Sequence, residues 1–146
     1  MNITIGKAYV SNSQEETEKL GREFASLLLD GNIVLLYGEL GSGKTCFVRG
    51  IASKLGCNDV VKSPSFTILR QYEGSCILNH VDLYRLKTQQ EIFLYGIEEL
   101  FQEKKSIVVV EWAERLAKPY IPAYHIEFKI LSSCIRQISF NYKTAL

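Results

Sequence analysis

Ile33-Val34-Leu35-Leu36-Tyr37-Gly38-Glu39-Leu40-Gly41-Ser42-Gly43-Lys44-Thr45 is the stretch that decides the fold. Its first five residues are a short apolar run, which predicts a buried strand. The next eight fit G-x-x-x-x-G-K-[ST], a phosphate-binding P-loop. Beyond them Phe47, Val48, Ile51 and Leu55 fall on one helical face, and Gly56 offers a stop. Strand, glycine loop and helix is the order this motif requires. The glycines let backbone N–H groups turn inward around phosphate oxygens, and the helix start adds partial positive charge. Lys44 is placed to reach the β- and γ-phosphates, and Thr45 to offer its hydroxyl to Mg²⁺. Glu39 through Cys46 are therefore the expected nucleotide-binding segment.

The same reading extends along the chain. Its 146 residues suit one domain, 1–146. Residues 3–10 read as a first strand. Residues 13–29 read as an amphipathic helix with Leu20, Phe24, Leu27 and Leu28 on one face. Ser13 is its expected N-cap, with Glu16 at capping-box spacing, and Asp30-Gly31 its end. Residues 66–72 and 76–81 predict a hairpin turning near Glu73-Gly74-Ser75. Residues 88–101 are helical, with a break at Gly96. Ile107-Val108-Val109-Val110 predicts a strand buried on both faces. Pro119 and Pro122 mark a loop, and residues 124–131 and 135–142 form a closing hairpin. The fold class is α/β: a P-loop NTPase domain with a mixed, centrally parallel sheet and antiparallel hairpins.

Composition narrows the function. No segment approaches the roughly 20 apolar residues of a membrane span. Met1-Asn2-Ile3-Thr4-Ile5 lacks the pattern of a secretion signal, so a cytoplasmic protein is expected, with no membrane partner. Net charge is +1, unlike a domain that grips DNA or RNA by bulk electrostatics. Cys46, Cys57, Cys76 and Cys134 form no metal-ligand spacing with His80 or His125 and read as free thiols.

A P-loop enzyme needs a second acid near Mg²⁺, usually at the end of a neighbouring apolar strand. Glu111 follows Ile107–Val110, and Asp82 follows Ile77-Leu78-Asn79-His80-Val81. Strand alternation puts His80, Asp82 and Tyr84 on one face, a costly cluster unless paired or used. The plainer alternatives are a loop acid capping Arg85 or the next helix for Asp82 and a strand-end acid in a surface salt bridge for Glu111. His80 is expected to orient a neighbouring acid rather than take part directly. Trp112, the only tryptophan, either packs beside the nucleotide or belongs to ordinary core or a partner face. Ser63-Pro64-Ser65-Phe66-Thr67 brackets a stiffening proline with hydroxyls, in the position where nucleotide switches sense the γ-phosphate. Residues 11–17 are the candidates for the adenine pocket.

The order G-E-L-G-S-G-K-T, S-P-S-F-T, H-V-D-L-Y-R-L and V-V-V-E-W resembles the TsaE (YjeE) family of small bacterial ATPases. The resemblance covers about residues 10 to 131, including Thr17, Gly21 and Gly96. It implies a role in forming N6-threonylcarbamoyladenosine beside the anticodon of tRNAs that read A-starting codons. It implies ATP and Mg²⁺ as cofactors, with Lys44 and Thr45 on the phosphates and metal. It implies Asp82 and Glu111 around the metal or the attacking water, a switch-like role for Ser63 to Thr67, and Trp112 beside the site. Tyr84 and Arg85 fall in the same motif as His80 and Asp82 and support them. The family's partner is the TsaB–TsaD heterodimer, through which tRNA is met indirectly. Ser65 departs from the usual Thr but keeps the hydroxyl. After residue 132 no motif matches.

Two other functions remain at this level. A metabolite kinase would need an arginine-bearing lid, and the six arginines form no such cluster. A nucleotide-dependent assembly module with negligible hydrolysis is distinguished only by turnover. A GTPase lacks support, because no Asn-Lys-x-Asp segment is present.

Overall fold

In a computed structural model, residues 2–64, 67–118 and 120–144 are described. Strand β1 (Ala8–Ser11) is followed by helix α1 (Gln14–Ala25), strand β2 (Ile33–Tyr37) and helix α2 (Lys44–Lys54). A hairpin of β3 (Leu69–Glu73) and β4 (Ile77–Asp82) leads to helices α3 (Gln89–Leu94) and α4 (Ile97–Gln102). Strand β5 (Ser106–Glu111) and the hairpin β6 (Ala123–Ile130) and β7 (Arg136–Lys143) complete the chain. One sheet holds every strand in the order β1-β7-β6-β2-β5-β4-β3. Strands β6, β2, β5 and β4 are mutually parallel, while β3 and β7 run antiparallel to their neighbours.

Burial explains that order. Strands β2 and β5 are apolar on both faces and sit inside the sheet. Val34, Leu36 and Val109 join Phe24, Phe47 and Ile51 beneath α1 and α2. Ile33, Leu35, Val108 and Val110 join Ile92, Ile97 and Phe101 of α3 and α4 on the other face. Each such side chain contributes about 1.5–3 kcal/mol relative to exposure, which excludes an edge position for either strand. Helices α1 and α2 cross closely because glycine stands at the contact on both. A Cβ on Gly21 would lie 2.2 Å from the Phe47 carbonyl oxygen, and one on Gly50 would lie 2.0 Å from that of Glu18.

The N-terminal expectations need correcting. The first strand begins at Ala8, not Ile3, because Gly6 adopts φ +95° and turns the chain, although Ile3 is still buried. Helix α1 ends at Ala25 rather than Leu29: Leu27 and Leu28 bond to carbonyls three residues back, and Leu27 is exposed. Its start is as read, with the Ser13 hydroxyl accepting from Glu16 N–H at 3.0 Å. The Glu16 carboxylate reaches one residue further back and accepts from Asn12 N–H at 2.9 Å. Gly96, at φ +71°, separates α3 from α4.

The sheet places the site. Parallel pairing sets Leu36 opposite Glu111 and Asp82 opposite Glu111. The loop after β2 and the acids ending β5 and β4 therefore meet at the carboxyl edge of the sheet, where open α/β folds bind ligands.

Candidate active site

Backbone geometry at the end of β2 creates a cradle. Gly43 N-caps α2 with φ +102° and no side-chain cap, so the first amides of the helix have no intrahelical partner. Lys44, 4% exposed, folds back over the loop. Its ammonium donates to the Gly38 carbonyl, to the Glu39 carbonyl at 3.0 Å and to the Ser42 hydroxyl at 3.4 Å. It also lies 4.3 Å from the centre of the Trp112 ring. Burial pushes the Lys44 pKa down, and the nearby Glu111, Glu114, Asp82 and Glu39 push it back up. The Glu39 side chain is exposed, and its backbone carbonyl is what meets Lys44.

Facing Lys44 are the acids. Thr45 donates its hydroxyl to the Glu111 carboxylate at 3.0 and 3.1 Å. His80, fully buried, donates Nε2–H to the same carboxylate at 2.5 Å, while its Nδ1 has no partner among the described residues. Asp82 accepts from Tyr84 N–H at 2.8 Å and from the Ser63 hydroxyl at 3.2 Å. Strand β4 ends at Asp82, so alternation holds for His80 and Asp82 but not for Tyr84. The Tyr84 ring instead packs on Trp112 with centroids 4.8 Å apart. Trp112 adopts φ +59°, at a cost of about 1–2 kcal/mol for a non-glycine residue. Its indole contacts both Lys44 and Tyr84, and the residue opens the turn Ala113–Arg115 that returns Glu114 to the P-loop. Glu114 accepts there from Gly38 N–H at 2.7 Å.

A cleft of about 710 Å³ opens at this edge of the sheet. Leu40 through Cys46, Ser63, Asp82, Tyr84, Glu111 and Trp112 all border it. So do Asn12, Ser13, Gln14 and Thr17 from the stretch expected near the base. Pro64 is buried and Thr67 exposed, both outside the lining; Ser65 and Phe66 lie outside the described residues. Arg85 is exposed on the turn after β4, also outside the cleft. Sequence reading missed Arg49, Glu114, Ser133, Cys134 and Arg136. Arg49 stands one helical turn beyond Thr45, a spacing that could have found it. Nothing in the sequence ties Arg136 to the P-loop.

Thr45, Glu111 and Asp82 form a hard, all-oxygen donor set that fits Mg²⁺ shared with phosphates and water. Among the described residues no cluster of three or more His, Cys, Asp or Glu side chains forms a complete protein cage for a metal.

A family model described as threonylcarbamoyl adenosine biosynthesis protein TsaE matches residues 11–138. The chain belongs to the TsaE family. A TsaE protein of Treponema pallidum is 38% identical over 132 residues, spanning 89% of this chain and 96% of the relative. The Bacillus subtilis TsaE protein is 35% identical over 117 residues, spanning 80% and 72%. The crystal structure of Bacillus subtilis YdiB superposes with a TM-score of 0.77 at 28% identity, covering 93% of this chain and 84% of that one. The expected fold class, a P-loop domain with a mixed sheet, holds for this TsaE chain. Membership of a tRNA-modification family holds with it.

Asp82 carries a consequence for stability. Its pKa is raised, mainly by burial and further by Glu111, against the bonds from Tyr84 and Ser63 and the nearby His80. The folded value lies above the unfolded one, so stability is lost as pH rises through it. An Asn at this position does not ionise and escapes that loss. Without nucleotide, Asp82→Asn should melt higher than wild type at pH 7. The gain should vanish at a pH where Asp82 is protonated. Calorimetric scans at both pH values check this, and a lower melting temperature at pH 7 would overturn it.

Proposed function

We propose that this chain binds ATP with Mg²⁺, hydrolyses it slowly alone, and supports the TsaB–TsaD heterodimer in forming N6-threonylcarbamoyladenosine on tRNA. The observation that carries the reading is the Thr45 hydroxyl on the Glu111 carboxylate, beside Asp82 and facing the amides of a P-loop. The amides that begin α2 receive phosphate oxygens, and Lys44 moves its charge from the loop carbonyls to the terminal phosphates. Thr45, with Glu111 and Asp82 directly or through water, holds the cation. Mg²⁺, when bound, neutralises charge on the β- and γ-phosphates. Glu111, fixed by Thr45 and His80, takes the proton of the water whose oxygen bonds to the γ-phosphorus as the bond to ADP breaks. Ser63 ties its loop to Asp82, which lets the Ser63–Thr67 segment respond to the γ-phosphate.

The family's pathway supports a cytoplasmic role with tRNA met through the complex. Among the described residues no helix is long and apolar enough to cross a membrane. The test is ATP turnover alone and with purified TsaB–TsaD, together with titration of that heterodimer in each nucleotide state. Affinity should be at least about fivefold tighter with a non-hydrolysable ATP analogue than with ADP, since only differential affinity can drive a cycle. Equal affinity together with no turnover in the complex would remove this reading.

A further inference from the structure

The closing hairpin has no counterpart among the motifs, yet its turn forms one wall of the cleft through Ser133, Cys134 and Arg136. Arg136 opens β7, opposite Ser11 of β1 and Ile130 of β6. Through Nη1 its guanidinium donates to the carbonyls of Ser132 at 2.8 Å, Ile135 at 3.2 Å and Ser133 at 3.4 Å. Through Nη2 it donates to the Gly41 carbonyl at 2.9 Å. One planar fork thus joins the hairpin turn to the P-loop across 95 residues of sequence.

The Gly41 contact matters because of what that peptide can do. Ser42 N–H closes a turn on the Glu39 carbonyl at 3.1 Å, and Gly41, third in that turn, sits at φ +78°. This is the left-handed position that a type II turn requires. Among the described residues, its chain neighbours aside, no atom lies within 4 Å of where a Gly41 Cβ would stand, so the Cβ side of the residue is open. The Gly41–Ser42 peptide is held by two hydrogen bonds: its N–H on Glu39 and its oxygen on Arg136. If it flipped, a carbonyl oxygen would turn towards incoming phosphates and the turn bond would break. A charged donor is the stronger kind of restraint on such an oxygen.

We propose that Arg136 is a positioning residue for the nucleotide: it holds the Gly41 carbonyl away from the phosphates and makes the closing hairpin part of the ATP site. The inference rests on the ATP reading above. Arg136 acts on the loop before nucleotide arrives, so its loss weakens binding of ground state and transition state alike.

The experiment is calorimetric titration of the full chain with Mg²⁺–ATP, paired with turnover at saturating ATP and thermal melting. It compares wild type, Arg136→Ala and Arg136→Lys. Arg136→Ala should bind ATP about tenfold more weakly and turn over at saturation within about twofold of wild type. Arg136→Lys, which keeps the charge without the fork, should fall between. A role confined to folding would lower the melting temperature and the active fraction but leave the dissociation constant of folded molecules unchanged. If Arg136→Ala does not fold, the Lys variant carries the test through the same affinity-against-turnover split. Unchanged affinity in both variants, or turnover lost at unchanged affinity, overturns the proposal. No ATP binding by wild type would instead remove the ATP reading and this inference with it.

Discussion

Lys44→Ala should weaken ATP binding at least about 100-fold and take hydrolysis below detection. The reason lies in what surrounds the ammonium. Glu111, Glu114, Asp82 and Glu39 all act on Lys44, and burial opposes its charge. A triphosphate entering this cleft brings further negative charge against Glu111 and Asp82. The helix-start amides offer only partial charges in return. Lys44→Arg should not rescue binding. The ammonium sits as a compact point charge between the Gly38 and Glu39 carbonyls and the Trp112 ring, where a planar fork has no matching acceptors. Trp112 is the only tryptophan and lies beneath Lys44, so its emission reports directly on this site. ATP should change that emission in wild type and leave it unchanged in Lys44→Ala. Titration by fluorescence and calorimetry, with circular dichroism to confirm folding, makes the check. Wild-type affinity in the variant would mean that the P-loop does not hold phosphate through this residue.

The parts of the site that the sequence disclosed are those whose chemistry is local. The P-loop carries its glycines, Lys44 and Thr45 within eight residues, and the apolar runs before Asp82 and Glu111 mark strand ends without reference to anything distant. Ser13 and Gly96 likewise act within one turn of themselves. Gly6 lies inside the stretch read as a strand, and with its turn at φ +95° the strand begins only at Ala8, although Ile3 is buried. What stayed hidden depends on strand order. Strand β6 lies beside β2, with β7 and β1 beyond it, and that order brings Arg136 to Gly41. Glu114 was hidden for a different reason. It reaches Gly38 through a turn opened by Trp112 in a left-handed conformation, which helix and strand periodicities do not describe. The partners of His80 also needed three dimensions. The alternation of β4 gave it a face, but parallel pairing with β5 put Glu111 beside it.

Glu111→Gln should separate binding from chemistry. Glutamine has nearly the same size and can still accept one hydrogen bond, while Thr45 can rotate its hydroxyl to accept from the new amide. ATP affinity measured without Mg²⁺ should therefore stay within about threefold of wild type, and turnover with Mg²⁺ should fall at least about 100-fold, the scale of a lost proton acceptor. Glu111→Ala tests something else. It removes the acceptor for both Thr45 and His80, and the His80 Nδ1 already has no partner among the described residues. Leaving Nε2 unpaired as well should cost about 1–3 kcal/mol, seen as a melting temperature lowered by several degrees. A loss of activity in Glu111→Ala thus mixes chemistry with a loosened β4–β5 pair, and the glutamine variant isolates the chemistry. The glutamine variant should also hold ATP without consuming it. It should therefore stay on TsaB–TsaD in the tighter state and stall tRNA modification after the first binding event. Single-turnover hydrolysis, melting curves and a tRNA modification assay with both variants measure these effects. Wild-type turnover in Glu111→Gln would move the proton-accepting role to Asp82, the other carboxylate in the cleft. Undiminished tRNA modification by a variant that no longer hydrolyses ATP would show that binding alone, without hydrolysis, supports the pathway.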